Sequence, residues 1–222
     1  RTRENGGTEM IDAAHQKLFN VKYLGWVDSG VGCNIFTVNE PKFRSSHGVL
    51  VLGGVKIRDN PIYTAFLKSL EATTSPMPST EAYGALEKGV IDAVPWTSIG
   101  ITDLKWDKFV KYMVQPSFYS TDLGIIVNLD RWNALSADAK KVLQDVAIEM
   151  EIKSTADRVA DTAVYMKAYA DGGMKFVSHS DAGTASYLAL AYDSVWARLT
   201  GRMEEKGSGD DVAKLRSLFA PD

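Results

Sequence analysis

The chain has 222 residues, a formal charge of −3 at pH 7 and 45% hydrophobic residues. Acids and bases are interspersed, so no basic stripe points to nucleic acid, and no apolar run is long enough to read as a membrane span. A single cysteine, Cys33, excludes an internal disulfide and a cysteine-built metal site, and reads as a small buried filler.

The first residues, RTRENGGTEM, are polar and glycine-rich and lack the apolar run of a signal peptide. TEMIDAAHQKLF predicts a helix, VKYLGWV a strand, DSGVGCN a small-residue run and IFTV a second extended segment. A polar loop, NEPKFRSSHG, leads into VLVLGGVKIR. The helix NPIYTAFLKSL, the short extended TSPMP, the helix STEAYGALEKG and the strand VIDAV follow. Strand and helix alternate here as in an α/β protein. Beyond Trp106, SFYSTDLGIIVNL reads as a long strand whose apolar end is buried on both faces. Ser136 caps a helix followed from Ala137 to about Ala170, with Val142, Leu143, Val146, Ala147 and Met150 opening an apolar stripe that Val159 and Val164 continue. At 1.5 Å per residue that helix spans roughly 50 Å, so it either breaks midway or runs across two lobes. GGMKFVSH supplies a glycine stop and a strand, and the tail is helical from about Ala182 to Glu205 and again near Asp211 to Phe219.

Arg58 poses the sharpest question. It ends an apolar strand directly ahead of Asn60, a favoured N-cap, and Pro61, which suits the first helical position. A guanidinium beside a helix N-terminus concentrates positive potential, as a carboxylate site would. A strand-end arginine paired with a surface acid fits the same residues. Trp96, after a strand and before TSIGITD, suits either an aromatic wall for a ligand or loop packing. Trp26, Trp106 and Trp132 read as packing residues. Asn60 and Ser79 cap helices and also fall where a cleft would be lined, and Phe118 reads equally as core.

Catalytic patterns are missing. His15, His47 and His179 lie far apart without metal-ligand spacing, so no metal and no cofactor are expected. Asp92, Asp103 and Asp122 are not paired for acid–base work, and Asp92 reads as a structural partner for nearby backbone or a cation. No G-x-S-x-G, P-loop or G-x-G-x-x-G occurs, so an enzyme is not expected.

The run LGGVKIRDNPIYTAFLKSLEATTSPMPSTEAYGALEKGVIDAV resembles the solute-binding proteins of TRAP transporters, the DctP-like family. GIIVNLDRWNALSADAKKVLQDVA and VKYLGWVDSG resemble the same family's later strand and helix and its hinge strand. The combination G-x-K-I-R, P-M-P, E-x-Y-x-A-L and G-x-I-D carries the resemblance, and the chain is similar to the C-terminal two thirds of a typical member. The resemblance implies an α/β, two-lobed periplasmic-binding-protein-like fold with its first lobe incomplete. It implies residues 1–31 as part of lobe 1 and 32–121 as lobe 2. Residues 122–170 would form a hinge-crossing strand and long helix returning to lobe 1, and 171–222 a strand and helices packing on both lobes. Apolar surface near VKYLGWV and GIIVNL would then stand uncovered.

The family's ligand arginine falls on Arg58, and its cleft loop on Trp96. A second arginine of some members aligns with Asn34, leaving one guanidinium. Oxo-acid-type members carry Glu-Trp where this chain has Pro95 and Trp96, so a metal-bridged ligand is not expected. The implied function is periplasmic capture of a small organic carboxylate and its delivery to the membrane components of a TRAP transporter, with no nucleic acid as partner. One arginine and an aromatic wall favour a monocarboxylate with an apolar or aromatic body. An effector-sensing domain of a transcription regulator and an enzyme on the same lobes are the competing readings. The first lacks a helix-turn-helix and the second a catalytic dyad.

Overall fold

A computed structural model describes residues 2–46 and 48–219; His47 lies outside the described residues. In chain order the elements are α1 (Gly7–Phe19), β1 (Val21–Thr37), β2 (Lys42–Phe43), β3 (Leu50–Val51), β4 (Lys56–Asp59), α2 (Thr64–Ser69), β5 (Thr73–Pro76) and α3 (Ser79–Glu87). They continue with β6 (Ala93–Thr97), β7 (Tyr112–Gln115), β8 (Tyr119–Asn128), α4 (Leu129–Asn133), α5 (Ala137–Asp171), β9 (Lys175–Ser178), α6 (Asp181–Glu205) and α7 (Asp211–Phe219).

One sheet runs β5-β4-β6-β1-β7-β9, with β8 joined to it through β1, and β2 and β3 form a separate ladder. β4 is parallel to both β5 and β6, and β7 is parallel to β9, while β1 lies antiparallel to β6 and β7. Five strands therefore point one way around a reversed β1. Their carboxyl ends share one edge, and the Cys33 end of β1, opposite Thr97, lies at the same edge. In open α/β sheets ligands bind outside that edge.

The chain divides into two compact units. One comprises residues 1–30, 122–159 and 200–222, and the other 31–121 and 160–199. In the second unit strand alternation sorts side chains into two cores. Cys33, Ile35, Ile57, Ala93 and Val114 pack with Leu50, Leu52, Phe66, Leu67 and Tyr187 on one face. Phe36, Val94 and Met113 pack with Ala82, Leu86, Trp106 and Tyr169 on the other, where Trp96 joins them. By the same alternation Asn34 and Arg58 belong to this second face. Cys33 is buried, and burial pushes its thiol pKa up to about 12, as an inert filler would show.

The first unit is held by polar contacts. Arg3 donates from Nε and Nη2 to the Glu151 carboxylate at 2.7 and 2.6 Å and from Nη2 to the Leu24 carbonyl. The Gln144 amide donates to the same carbonyl, and Ser154 Oγ accepts from the Asp28 N–H. Asp12 accepts from the Tyr23 N–H.

Several expectations change. VKYLGWV and IFTV are one strand of 17 residues, because Gly25, Asp28 and Gly30 take positive φ within it instead of ending it. NPIYTAFLKSL is helical only from Thr64, for six residues; Asn60 Oδ1 accepts from the Ile62 N–H, which turns the chain before any helix starts. Ser79 is the first residue of α3, whose N-cap is Pro78. In β8, Leu123 and Ile126 are more than half exposed, since its one described neighbour is β1. The long helix α5 is unbroken, but Val142, Leu143, Val146, Val159 and Val164 are exposed and only Ala147 of the expected stripe is buried. The inward face is instead Ala147, Glu151, Ser154, Arg158, Thr162, Tyr165 and Tyr169, spaced at three and four residues and polar through its first half.

Candidate functional site

Arg58 is the third residue of β4 and is only 5% exposed. Its Nε donates to the Met77 carbonyl and its Nη1 to the Tyr63 hydroxyl, both at 3.2 Å. The Trp96 ring lies 5.5 Å from the guanidinium carbon, within cation–π reach. Burial pushes the Tyr63 pKa up to about 12, so the phenol stays neutral at physiological pH. The adjacent carboxylate is turned elsewhere, with Asp59 Oδ2 accepting from the Thr64 hydroxyl at 2.7 Å. All the partners found for Arg58 among the described residues are therefore neutral. With α2 beginning at Thr64 and only six residues long, its N-terminus is not a second source of positive potential at Arg58. The arginine is positioned by Met77, Tyr63 and Trp96.

Trp96 is paired across the sheet with Asn34. It meets the buried Trp106 edge to face, with ring centres 5.0 Å apart and planes inclined at 69°. Asn34, 1% exposed, donates from Nδ2 to the Val114 carbonyl at 2.8 Å. Its Oδ1 accepts from the hydroxyls of Ser98 and Ser117 at 2.8 and 3.0 Å. The register at Gly32 explains how Ser117 approaches: a Cβ there would lie 2.0 Å from the Ser117 hydroxyl oxygen. Arg58, Trp96 and Asn34 thus converge on one face at the carboxyl edge of the sheet.

The other residues predicted for the site are placed differently. Phe118 is buried in the opposite core, stacked on Phe66 at 4.8 Å and edge-on to Tyr63 at 5.7 Å. Asn60 and Ser79 lie just past the ends of β4 and β5, the first occupied in its turn. Asp92 accepts from the Lys56 N–H at 3.2 Å, a structural contact. Sequence reasoning missed Tyr63, Met77, Ser98 and Ser117. Tyr63 stands five residues after Arg58 in a stretch read as helix, and the two serines reach Asn34 only through the strand order.

Alongside Asn34 an open concavity of about 570 Å³ extends past the ends of β7 and β9. Among the described residues no group of three or more His, Cys, Asp and Glu could hold a metal ion. Pro95 is buried and has no side-chain ligand atom to offer beside Trp96. No helix among the described residues is long and apolar enough to cross a membrane.

This fold matches that of the solute-binding proteins of TRAP transporters. A TRAP transporter solute-binding protein from Bordetella bronchiseptica, described with copurified calcium and picolinate, matches with a TM-score of 0.76 and 21% identity, over 96% of this chain and 62% of that one. One from Rhodoferax ferrireducens with bound malonate matches with a TM-score of 0.78 and 19% identity, over 96% and 66%. The chain belongs to the DctP family, bacterial extracellular solute-binding protein family 7, whose model matches residues 2–200. The monocarboxylate 2-oxoacid-binding periplasmic protein of Nostoc sp. is 24% identical over 187 residues, covering 82% of this chain and 50% of that protein. A solute-binding protein of Albidiferax ferrireducens is 24% identical over 178 residues, covering 77% and 49%. The chain spans about half the length of these curated relatives.

Proposed function

We propose that the chain captures a small organic carboxylate in the periplasm, with Arg58 as anchor and Trp96 and Asn34 beside it, for the membrane components of a TRAP transporter. It acts by binding and carries out no reaction. The observation that carries this reading is a nearly buried guanidinium held by neutral partners alone. Burying an unpaired cation is costly, and an incoming carboxylate compensates it. Arginine has five N–H donors. Nε serves Met77 and one Nη1 proton serves Tyr63, so the free pair at the Nη1–Nη2 end meets a carboxylate end-on. The Trp96 ring shields one side of the guanidinium and keeps water from competing. The malonate and picolinate named for similar proteins support a carboxylate as the guest.

The test is calorimetric titration of the chain with picolinate, malonate and pyruvate, each against its neutral amide. Acids should bind, amides should not, and Arg58→Ala should lose roughly two to four orders of magnitude in affinity. Equal affinity in the wild type and Arg58→Ala would place the anchor elsewhere.

A further inference from the structure

Phe118 belongs to the core opposite Arg58, yet its ring touches the arginine's support. It sits between two aromatic rings three residues apart in the chain. It stacks on Phe66 with centres 4.8 Å apart and lies edge-on to Tyr63 at 5.7 Å, with planes inclined at 87°. The Phe118 backbone is fixed too, since its N–H donates to the Cys33 carbonyl at 2.9 Å. Phe66 is fully buried and meets Tyr187 edge-on at 5.3 Å. The Phe118 ring is therefore held on several sides. Tyr63 is less constrained by its backbone, because it is the N-cap of α2 and lies outside the regular helix. Its ring direction depends on what packs against it.

Two contacts thus join Phe118 to the anchor. The Tyr63 hydroxyl is at the far end of its side chain, so a small tilt of the ring becomes a larger displacement of the oxygen. The bond that oxygen accepts from Arg58 Nη1 is 3.2 Å long, at the outer end of the usual range, and hydrogen bonds weaken steeply as alignment is lost. Resting on the carboxylate reading above, we propose that Phe118 is a positioning residue for Arg58. Acting through Tyr63, it fixes the direction of the guanidinium without touching the guest. The residue before it has a parallel task, since Ser117 Oγ donates to Asn34 Oδ1 at 3.0 Å. The short link between β7 and β8 then serves both Asn34 and Arg58.

The test is a double-mutant cycle read by calorimetry on the 222-residue chain. Picolinate, malonate and pyruvate are titrated first, and the tightest binder is then used with Phe118→Leu, Tyr63→Phe and the double variant. Each single variant should lose about three- to tenfold in affinity, the range of one weakened hydrogen bond to a charged group. In the Tyr63→Phe background, Phe118→Leu should cost less than about twofold, because no hydroxyl is left to position. Phe118→Met makes the same comparison should Phe118→Leu not melt cooperatively. Equal losses in both backgrounds would mean that Phe118 contributes packing alone. Unchanged affinity in either single variant overturns the proposal as well. In both cases binding that is lost in Arg58→Ala leaves the carboxylate reading standing. A folded chain that binds none of the three acids overturns both.

Discussion

Trp96 stands between two aromatic-compatible neighbours, with the Arg58 guanidinium carbon 5.5 Å from its ring and Trp106 edge-on at 5.0 Å. One side chain therefore serves the core and the candidate anchor together. Trp96→Ala should weaken carboxylate binding and also lower stability, by about 1–3 kcal/mol for a partly buried ring. Trp106→Ala, which empties a fully buried position, should cost about 3–5 kcal/mol. Thermal melts of both variants check the order, and a Trp96→Ala melt equal to wild type would remove the packing role.

Arg58→Lys keeps a cation on β4 but cannot reach the Met77 carbonyl and the Tyr63 hydroxyl while presenting a planar fork outward. It should recover only part of the affinity lost in Arg58→Ala. Full recovery in a side-by-side titration would show that charge alone, without geometry, holds the guest.

His179 gives a pH signature. Burial lowers its pKa below the ordinary 6.5, opposed by its hydrogen bond to the Gln115 carbonyl. The unfolded chain then binds a proton at a higher pH than the folded one does. The stability from neutral His179 is complete above about pH 6.5 and is lost as pH falls from there through the folded-state pKa. The slope is at most about 1.4 kcal/mol per pH unit. Denaturation of the wild type and His179→Asn between pH 7.5 and 5 should show a steeper decline for the wild type. Parallel curves would mean that His179 does not contribute.

Within the first unit Glu151 of α5 holds Arg3, whose pKa is raised chiefly by that hydrogen bond. Both side chains are mostly buried, at 26% and 10% exposure. Glu151→Ala leaves a guanidinium with only the Leu24 carbonyl, and should cost about 1–3 kcal/mol in urea denaturation. A change below a few tenths would class the pair with ordinary surface contacts.

Much of the fold was legible because its punctuation is local. Glycine and proline separate β4, β5, α3 and β6, and the βαβ rhythm follows from them. What misled was a reading of pattern without partners. Asn60-Pro61 looks like a helix start, yet its Asx turn delays α2 to Thr64. The valines of α5 form a clear stripe, yet the helix turns inward a polar face chosen by Arg3 and Asp28. Arg58 could be singled out as a candidate anchor because it ends an apolar strand ahead of Asn60-Pro61 and falls on the ligand arginine of the resembled family. Tyr63, Ser98 and Ser117 could not, since each acquires its role from a strand or turn far away in sequence or misread locally.

The reversed strand β1 has a kinetic consequence. Residues 33–37 must find 93–97 on one side, and β7 must find residues 175–178 on its other side. Each pairing closes a loop of tens of residues, and long-range closures are slow to form. Arg58 and its parallel neighbours can assemble early, but Asn34 and the concavity beside it exist only once those two distant pairings have locked. Any part of the affinity that depends on Asn34 is thus acquired only with those pairings, while the surroundings of Arg58 need not wait for them.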